Sequence, residues 1–205
     1  MLVADEFVIF DCVQFPRRGR VHRCEVPGPS GAPEWLTLPI ARHPRDTRIC
    51  DLRFQDKARA AFDERLRRLS WIATASGPGA EVVREHLQAP LTDPVDYLER
   101  GLTLVASLLG LECRISRSSM LHLDPKFRSQ ERVIAVCKAV GATHYVNAPS
   151  GRPLYDVAGF ASEGLELSFL SAYEGRFFQL LPALMMEDPA VISEDVREQT
   201  RLEPG

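Results

Sequence analysis

Lysine is almost missing from this chain: only Lys57, Lys126 and Lys138 appear among 25 basic residues, and the rest are arginine. With 28 acidic residues the formal net charge is −3, and no dense basic stripe appears outside Arg59 to Arg68, so nucleic acid is not an expected partner. No apolar run approaches the roughly 18 to 20 residues that cross a bilayer. The N-terminus also lacks a basic region followed by an apolar stretch and a small-residue cleavage site, so a cytoplasmic protein with no membrane span is expected. Five cysteines, Cys12, Cys24, Cys50, Cys113 and Cys137, are odd in number and widely dispersed, which excludes a paired-cysteine zinc site and points to reduced thiols. His22, His43, His86, His122 and His144 never form the His-Glu-x-x-His spacing of a zinc hydrolase, so no metal site is indicated. A Gly-x-Ser-x-Gly elbow and the spacing of a phosphate-binding P-loop are both absent, and no cofactor is signalled.

What is present is enough apolar chain for one core: 205 residues, 45% hydrophobic. The segment Glu6-Phe-Val-Ile-Phe-Asp-Cys-Val-Gln-Phe15 predicts a strand buried on both faces, in a sheet interior. Alternation over Arg20 to Val26, turn chemistry from Pro27 to Gly31 and a short strand over Trp35 to Pro39 predict a hairpin-like unit. Ile49 to Phe54 predicts another strand. Ala61, Phe62, Leu66 and Leu69 recur near helical spacing within Lys57 to Trp71, before the Gly77-Pro-Gly79 break. A short helix is expected over Glu81 to Leu87, and Asp93-Pro94 starts a helix that Gly110 stops. The second half predicts a crossover: strand Glu112 to Ser116, helix Arg128 to Val140, strand Thr143 to Val146. A short helix over Asp156 to Ser162, a strand over Leu165 to Leu170 and a helix over Phe177 to Met186 follow. The expectation is a single α/β domain over residues 1–190, a mixed β-sheet flanked by helices, with a charged tail over 191–205 that frays.

Polar residues gather at three places where elements end, as ligand-binding residues do in α/β proteins. The first holds Asp11, Cys12 and Gln14, followed by Arg17, Arg18, Arg20 and Arg23. Burying a lone carboxylate costs several kcal/mol, so Asp11 needs a partner, either a structural arginine or a ligand. Cys12 reads as a small hydrophobe rather than a nucleophile. The second is Arg117-Ser118-Ser119, whose hydroxyls either cap a turn or bind substrate oxygens. The third is Asn147-Ala-Pro-Ser-Gly-Arg-Pro-Leu-Tyr155, a small-residue loop able to offer backbone N–H groups to an anion.

These segments together resemble the WbqC-like family of bacterial proteins. Asp5 to Arg18 is similar to the family's strand ending in Asp-acidic-Val-Gln-Phe before basic residues, with Cys12 in place of the acid. Val21-His22-Arg23 stands where the family carries Asn-Arg, and Trp35-Leu-Thr-Leu-Pro-Ile40 resembles its Trp-Leu-Thr-Val-Pro-Val stretch. Ser118-Ser119 matches its serine pair, and Cys137 to Tyr145 with Ser150, Gly151 and Tyr155 resembles its Cys-x-x-Leu-Gly-Ala-x-x-Tyr and Gly-Ser-Gly-x-x-Tyr region. The likeness extends to about Gln179; the family's Ser-x-x-Asp ending is not clear within Leu181 to Ser193. Its upstream His-Gln-Pro-x-Tyr-x-Pro-Trp-x-Gly motif has no counterpart, which predicts a misassigned start, a partner that supplies the segment, or a truncated paralogue.

The resemblance implies aminoacyl or acyl transfer to an amino sugar or similar amine, in O-antigen and other surface polysaccharide or natural-product biosynthesis. Asp11 and Gln14 are the catalytic candidates, and Arg23, Ser118, Ser119, Ser150 and Tyr155 the substrate-binding ones. The expected partner is a small molecule such as a nucleotide sugar. The alternative is a non-catalytic accessory subunit that pairs with a chain carrying the upstream motif.

Overall fold

A computed structural model describes residues 1–16 and 18–205. The chain is an α/β domain in which strands are short and helices carry most of the order. β1 (Glu6–Ile9) pairs in parallel with β4 (Arg114–Arg117), in register Glu6 to Arg114 through Ile9 to Arg117. β2 (Arg23–Pro27) and β3 (Pro33–Thr37) form the expected antiparallel hairpin. Its turn closes by the Gly28 N–H donating to Ala32 O, while Gly31 takes φ +80°, a conformation that favours glycine. The mixed sheet is three-stranded: β5 (His144–Asn147) runs parallel to β6 (Glu166–Leu170), and β6 runs antiparallel to β7 (Leu202–Pro204).

The helices are α1 (Ala58–Arg68), α2 (Ser70–Thr74), α3 (Ala80–Gln88), α4 (Pro94–Leu108), α5 (Ser129–Ala139), α6 (Val157–Ser162), α7 (Leu180–Met186) and α8 (Pro189–Gln199). Local chemistry starts and stops them. Asp93 Oδ1 accepts from the Val95 and Asp96 N–H groups at 2.9 and 3.1 Å, Pro94 fills the first turn, and Gly110 ends α4 at φ +60°. Asp156 and Asp188 cap α6 and α8 in the same way. The largest apolar cluster lies among the first four helices, α7, α8 and the hairpin, and includes Val26, Phe62, Leu69, Met185 and Ile192, each at most 2% exposed. A second cluster, around Phe160, Leu167 and Phe169, packs α5 and α6 onto β5 and β6.

Four expectations need correction. The opening strand is neither ten residues long nor interior: after Ile9 the Asp11 N–H turns back to Ile9 O at 2.9 Å, and Phe7 on β1 remains 36% exposed. Ile49 to Phe54 is a 3-10 turn over Ile49–Asp51, closed by an Arg48–Asp51 ion pair at 2.7 Å, followed by an isolated bridge between Ile40 and Phe54. The crossover through α5 joins two ladders rather than one sheet, since β4 pairs with β1 and β5 with β6. Finally, the C-terminal residues expected to fray form α8 and β7: Ile192 is fully buried, and Asp195 accepts from the Tyr173 hydroxyl at 2.5 Å and the Arg176 guanidinium at 3.2 Å. Among the described residues no helix is long and apolar enough to cross a membrane.

Candidate functional site

Parallel pairing of β1 with β4 delivers two chain segments side by side at the carboxyl ends of both strands. Asp11 leaves β1 there, and β4 runs directly into a 3-10 turn over Ser118–Leu121. The Asp11 carboxylate, 1% exposed, accepts three hydrogen bonds: from Ser118 Oγ at 3.1 Å and the Ser119 N–H at 2.8 Å on Oδ1, and from Ser119 Oγ at 2.6 Å on Oδ2. Ser118 Oγ in turn accepts the Cys12 N–H at 3.2 Å. No arginine touches Asp11 among the described contacts, so two hydroxyls and a backbone amide satisfy the buried charge. Ser118 is buried, whereas Ser119 is only half-buried and carries the polarised hydroxyl at the edge of the cluster.

A groove of about 870 Å³, bounded by β1 and β5 with α5 as its floor, reaches as far along the chain as Phe10. Val8, Phe10, Val136, Cys137, Tyr145 and Tyr155 give it an apolar lining. Phe10, the residue before Asp11, lines this groove together with Tyr145 and Tyr155, and all three pack against the buried cluster around Phe160. Tyr155 meets Tyr145 edge-on at 5.8 Å, and burial first, then the Tyr155 hydroxyl, pushes the Tyr145 phenol far above its usual range. Burial likewise lifts the Cys137 thiol to about 11, so it lines the floor as a protonated, unreactive group. Glu6 closes one end with its carboxyl bound by Ser116 and Arg114. Partial burial raises its pKa, yet those two partners outweigh that effect and hold it below the usual carboxylate range.

The strands bounding the groove each have one bonded edge. The Arg114 N–H donates to Asp5 O, so the ladder with β4 uses alternate β1 residues and leaves the backbone groups of Glu6 and Val8 facing the other way. The Glu166 N–H donates to Thr143 O, which does the same for His144 and Val146 on β5. Among the described residues no backbone hydrogen bond joins β1 to β5.

The structure thus brings together Asp11, Ser118 and Ser119, while Tyr155 shares only the groove with Phe10 and does not touch the cluster among the described contacts. The other predicted residues stand apart from the Asp11 cluster or are engaged in local structure. Gln14 donates to Arg45 O at 2.6 Å and bridges to Arg48. Arg23 donates to Gly19 O and Arg18 O at 3.0 and 2.8 Å and lies 4.3 Å over the Trp35 ring. Ser150 is exposed on the 3-10 turn Pro149–Leu154, where a Cβ on the buried Gly151 would displace the Asn147 amide. Arg17 lies outside the described residues. Two participants carried no separate weight in the sequence. Arg132 on α5 approaches Cys12 Sγ at 3.5 Å from 120 residues away, which no local pattern signals. Glu6 is a second acid on the same short strand as the one leading to Asp11, and that repetition was available to find it. Among the described residues no group of three His, Cys, Asp or Glu side chains is arranged to hold a metal ion.

The profile of the WbqC-like protein family matches residues 1–183. The chain belongs to the WbqC-like protein family. No curated protein and no solved structure matches it. In this WbqC-like chain the matched span runs from before β1 into α7, and so contains Asp11, the serine pair, the groove and Tyr155, with α8 and β7 beyond it.

Proposed function

We propose that this WbqC-like chain is a group-transfer enzyme that moves an aminoacyl or acyl group onto the amine of an amino sugar or similar acceptor, in surface polysaccharide, O-antigen or natural-product biosynthesis. The observation that carries the reading is the 2.6 Å contact between the half-buried Ser119 hydroxyl and the buried Asp11 carboxylate, one residue beyond Phe10, which lines a groove of about 870 Å³. Cavities of about 300 to 1,000 Å³ hold small-molecule substrates.

Both Asp11 oxygens already accept hydrogen bonds, so the carboxylate acts through Ser119 rather than by touching the amine. The amine nitrogen attacks the carbonyl carbon of an activated ester or thioester donor; the C–N bond forms and the C–O or C–S bond breaks. The amine proton passes to Ser119 Oγ as the Ser119 proton moves to Asp11, and returns by the same route to the leaving group. Ser118 holds the carboxylate in place, and the Tyr145–Tyr155 wall positions the acceptor ring. The test incubates the purified chain with nucleotide-linked amino sugars and acyl or aminoacyl donors and follows amide formation. Asp11→Asn and Ser119→Ala should each lower the rate by about 10² to 10⁴ while the fold is retained; unchanged turnover in both sinks the reading.

The free edges of β1 and β5 favour a second reading, an accessory subunit whose groove receives an extended segment of a partner chain. At strand spacings of about 3.3, 4.8 and 10 Å a residue fills about 160 Å³, so the groove matches about five residues of strand. Val8→Pro and Val146→Pro remove the N–H groups that face the groove and leave both existing ladders intact. Loss of partner capture in these variants, with no transferase activity in the parent, would favour the accessory role.

A further inference from the structure

Arg132, in the first turn of α5, folds its guanidinium back over the loop that leads into the helix. Nε donates to Phe127 O at 3.0 Å, Nη2 to Asp124 O at 3.2 Å and Nη1 to Cys12 Sγ at 3.5 Å. None of these acceptors is a carboxylate, and Arg132 takes part in no ion pair among the described residues. Arg59, Arg84 and Arg117, half-buried as Arg132 is, do meet carboxylates: Asp63, Glu81, and Asp96 with Glu99. A guanidinium carries one N–H on Nε and two on each Nη, so Arg132 keeps one donor on each terminal nitrogen. Two donors in one plane match the paired oxygens of a carboxylate or a phosphate.

Two sides of the Asp11 cluster hold this guanidinium. Cys12 follows Asp11 in the chain, and its N–H donates to Ser118 Oγ at 3.2 Å. Asp124 stands shortly past the 3-10 turn Ser118–Leu121, against which α5 packs. Neither nearby acid neutralises Arg132. Asp11 is 1% exposed, with both oxygens occupied by the serine pair and the Ser119 N–H, and Asp124 Oδ1 accepts the Lys126 N–H at 2.8 Å. Arg48 also acts on Cys12, but its own carboxylate partner is Asp51. Arg132 is thus an uncompensated cation with spare donors, touching the residue next to Asp11.

We propose that Arg132 binds an oxyanion, the carboxylate or phosphate group of a substrate engaged at Ser119. The identity of that substrate rests on the transfer reading, whereas the site can be probed without turnover. Cys12, whose sulfur the guanidinium touches, serves as reporter. The full chain is alkylated with iodoacetate and separately with iodoacetamide, at an ionic strength fixed with chloride, and modification of Cys12 is followed by peptide mass spectrometry. In both reactions the thiolate displaces iodide, and the reagents differ in charge; free glutathione gives their intrinsic rate ratio. The iodoacetate rate at Cys12 should saturate, exceed the glutathione ratio by about tenfold or more, as one charge-assisted contact supplies, and be suppressed by inorganic phosphate or acetate. The stronger competitor identifies the group as phosphate or carboxylate. Arg132→Met, shown to be folded by circular dichroism, should return the ratio to that of glutathione, and Arg132→Lys should keep only part of the preference. A linear, uncompeted iodoacetate reaction, a preference that folded Arg132→Met retains, or a Cys12 that neither reagent reaches overturns the proposal. Amide formation with unselective alkylation rejects this site alone; selective alkylation without amide formation rejects the transfer reading alone.

Discussion

The Ser119 hydroxyl donates to Asp11 Oδ2 at 2.6 Å although 108 residues separate the two in the chain. The contact exists because β1 and β4 run parallel, so the residues leaving their carboxyl ends emerge together. The carboxylate can serve as a structural anchor or also polarise a reactive hydroxyl, and each possibility has a measurable consequence.

Asp11→Ala strands three donors in a site that water barely reaches, and should lower stability by about 3 kcal/mol in chemical denaturation. Ser119→Ala removes one charge-assisted bond and should cost about 1 to 2 kcal/mol. Equal losses from the two substitutions would show that the remaining Ser118 and backbone contacts carry little.

Phe160 is fully buried, stacks parallel to Tyr145 at 5.6 Å and meets Tyr155 edge-on at 5.7 Å. Phe160→Ala should therefore cost about 3 to 5 kcal/mol and reduce the near-ultraviolet circular dichroism of the tyrosine pair. A loss below about 1 kcal/mol would mean that α6 repacks freely over the sheet.

Arg23→Lys keeps the charge but loses the planar fork that spans Gly19 O, Arg18 O and the Trp35 ring. The expected cost is about 0.5 to 1.5 kcal/mol, with a change in Trp35 fluorescence. An unaltered spectrum would remove the stacking from the account of the hairpin.

Acid sensitivity should begin in the histidine range. Burial holds both His22 and His86 below the ordinary imidazole pKa; Arg23, His43 and Arg65 add to the effect at His22, and Arg100 at His86. The unfolded chain takes up these protons near pH 6.5 while the folded chain resists them. Stability is thus full above about pH 6.5 and declines as pH falls through the lower folded values. Urea midpoints in phosphate-free buffer should drop between about pH 7 and pH 5.5, and less steeply in His22→Gln and His86→Gln. A flat or rising midpoint would contradict the burial of both rings.

Much of the local order was legible in the residues themselves. Asp93-Pro94 and Gly110 bracket α4, the Pro27 to Gly31 turn makes the hairpin, and the spacing of Phe62, Leu66 and Leu69 marks helical chain. Such signals act within a few residues, where side-chain caps and allowed backbone angles decide the outcome. The need of Asp11 for a partner was equally readable, since a carboxylate next to an apolar run must be satisfied. That its partners are the serine pair, already matched to the family's motif, was decided only by the parallel ladder.

The same holds for the groove between two half-paired strands and for Arg132 beside Cys12. Each depends on which strand pairs with which and on how α5 docks. Pairing is selected by burial of the whole apolar surface at once, and that choice leaves no mark within any one segment of the chain.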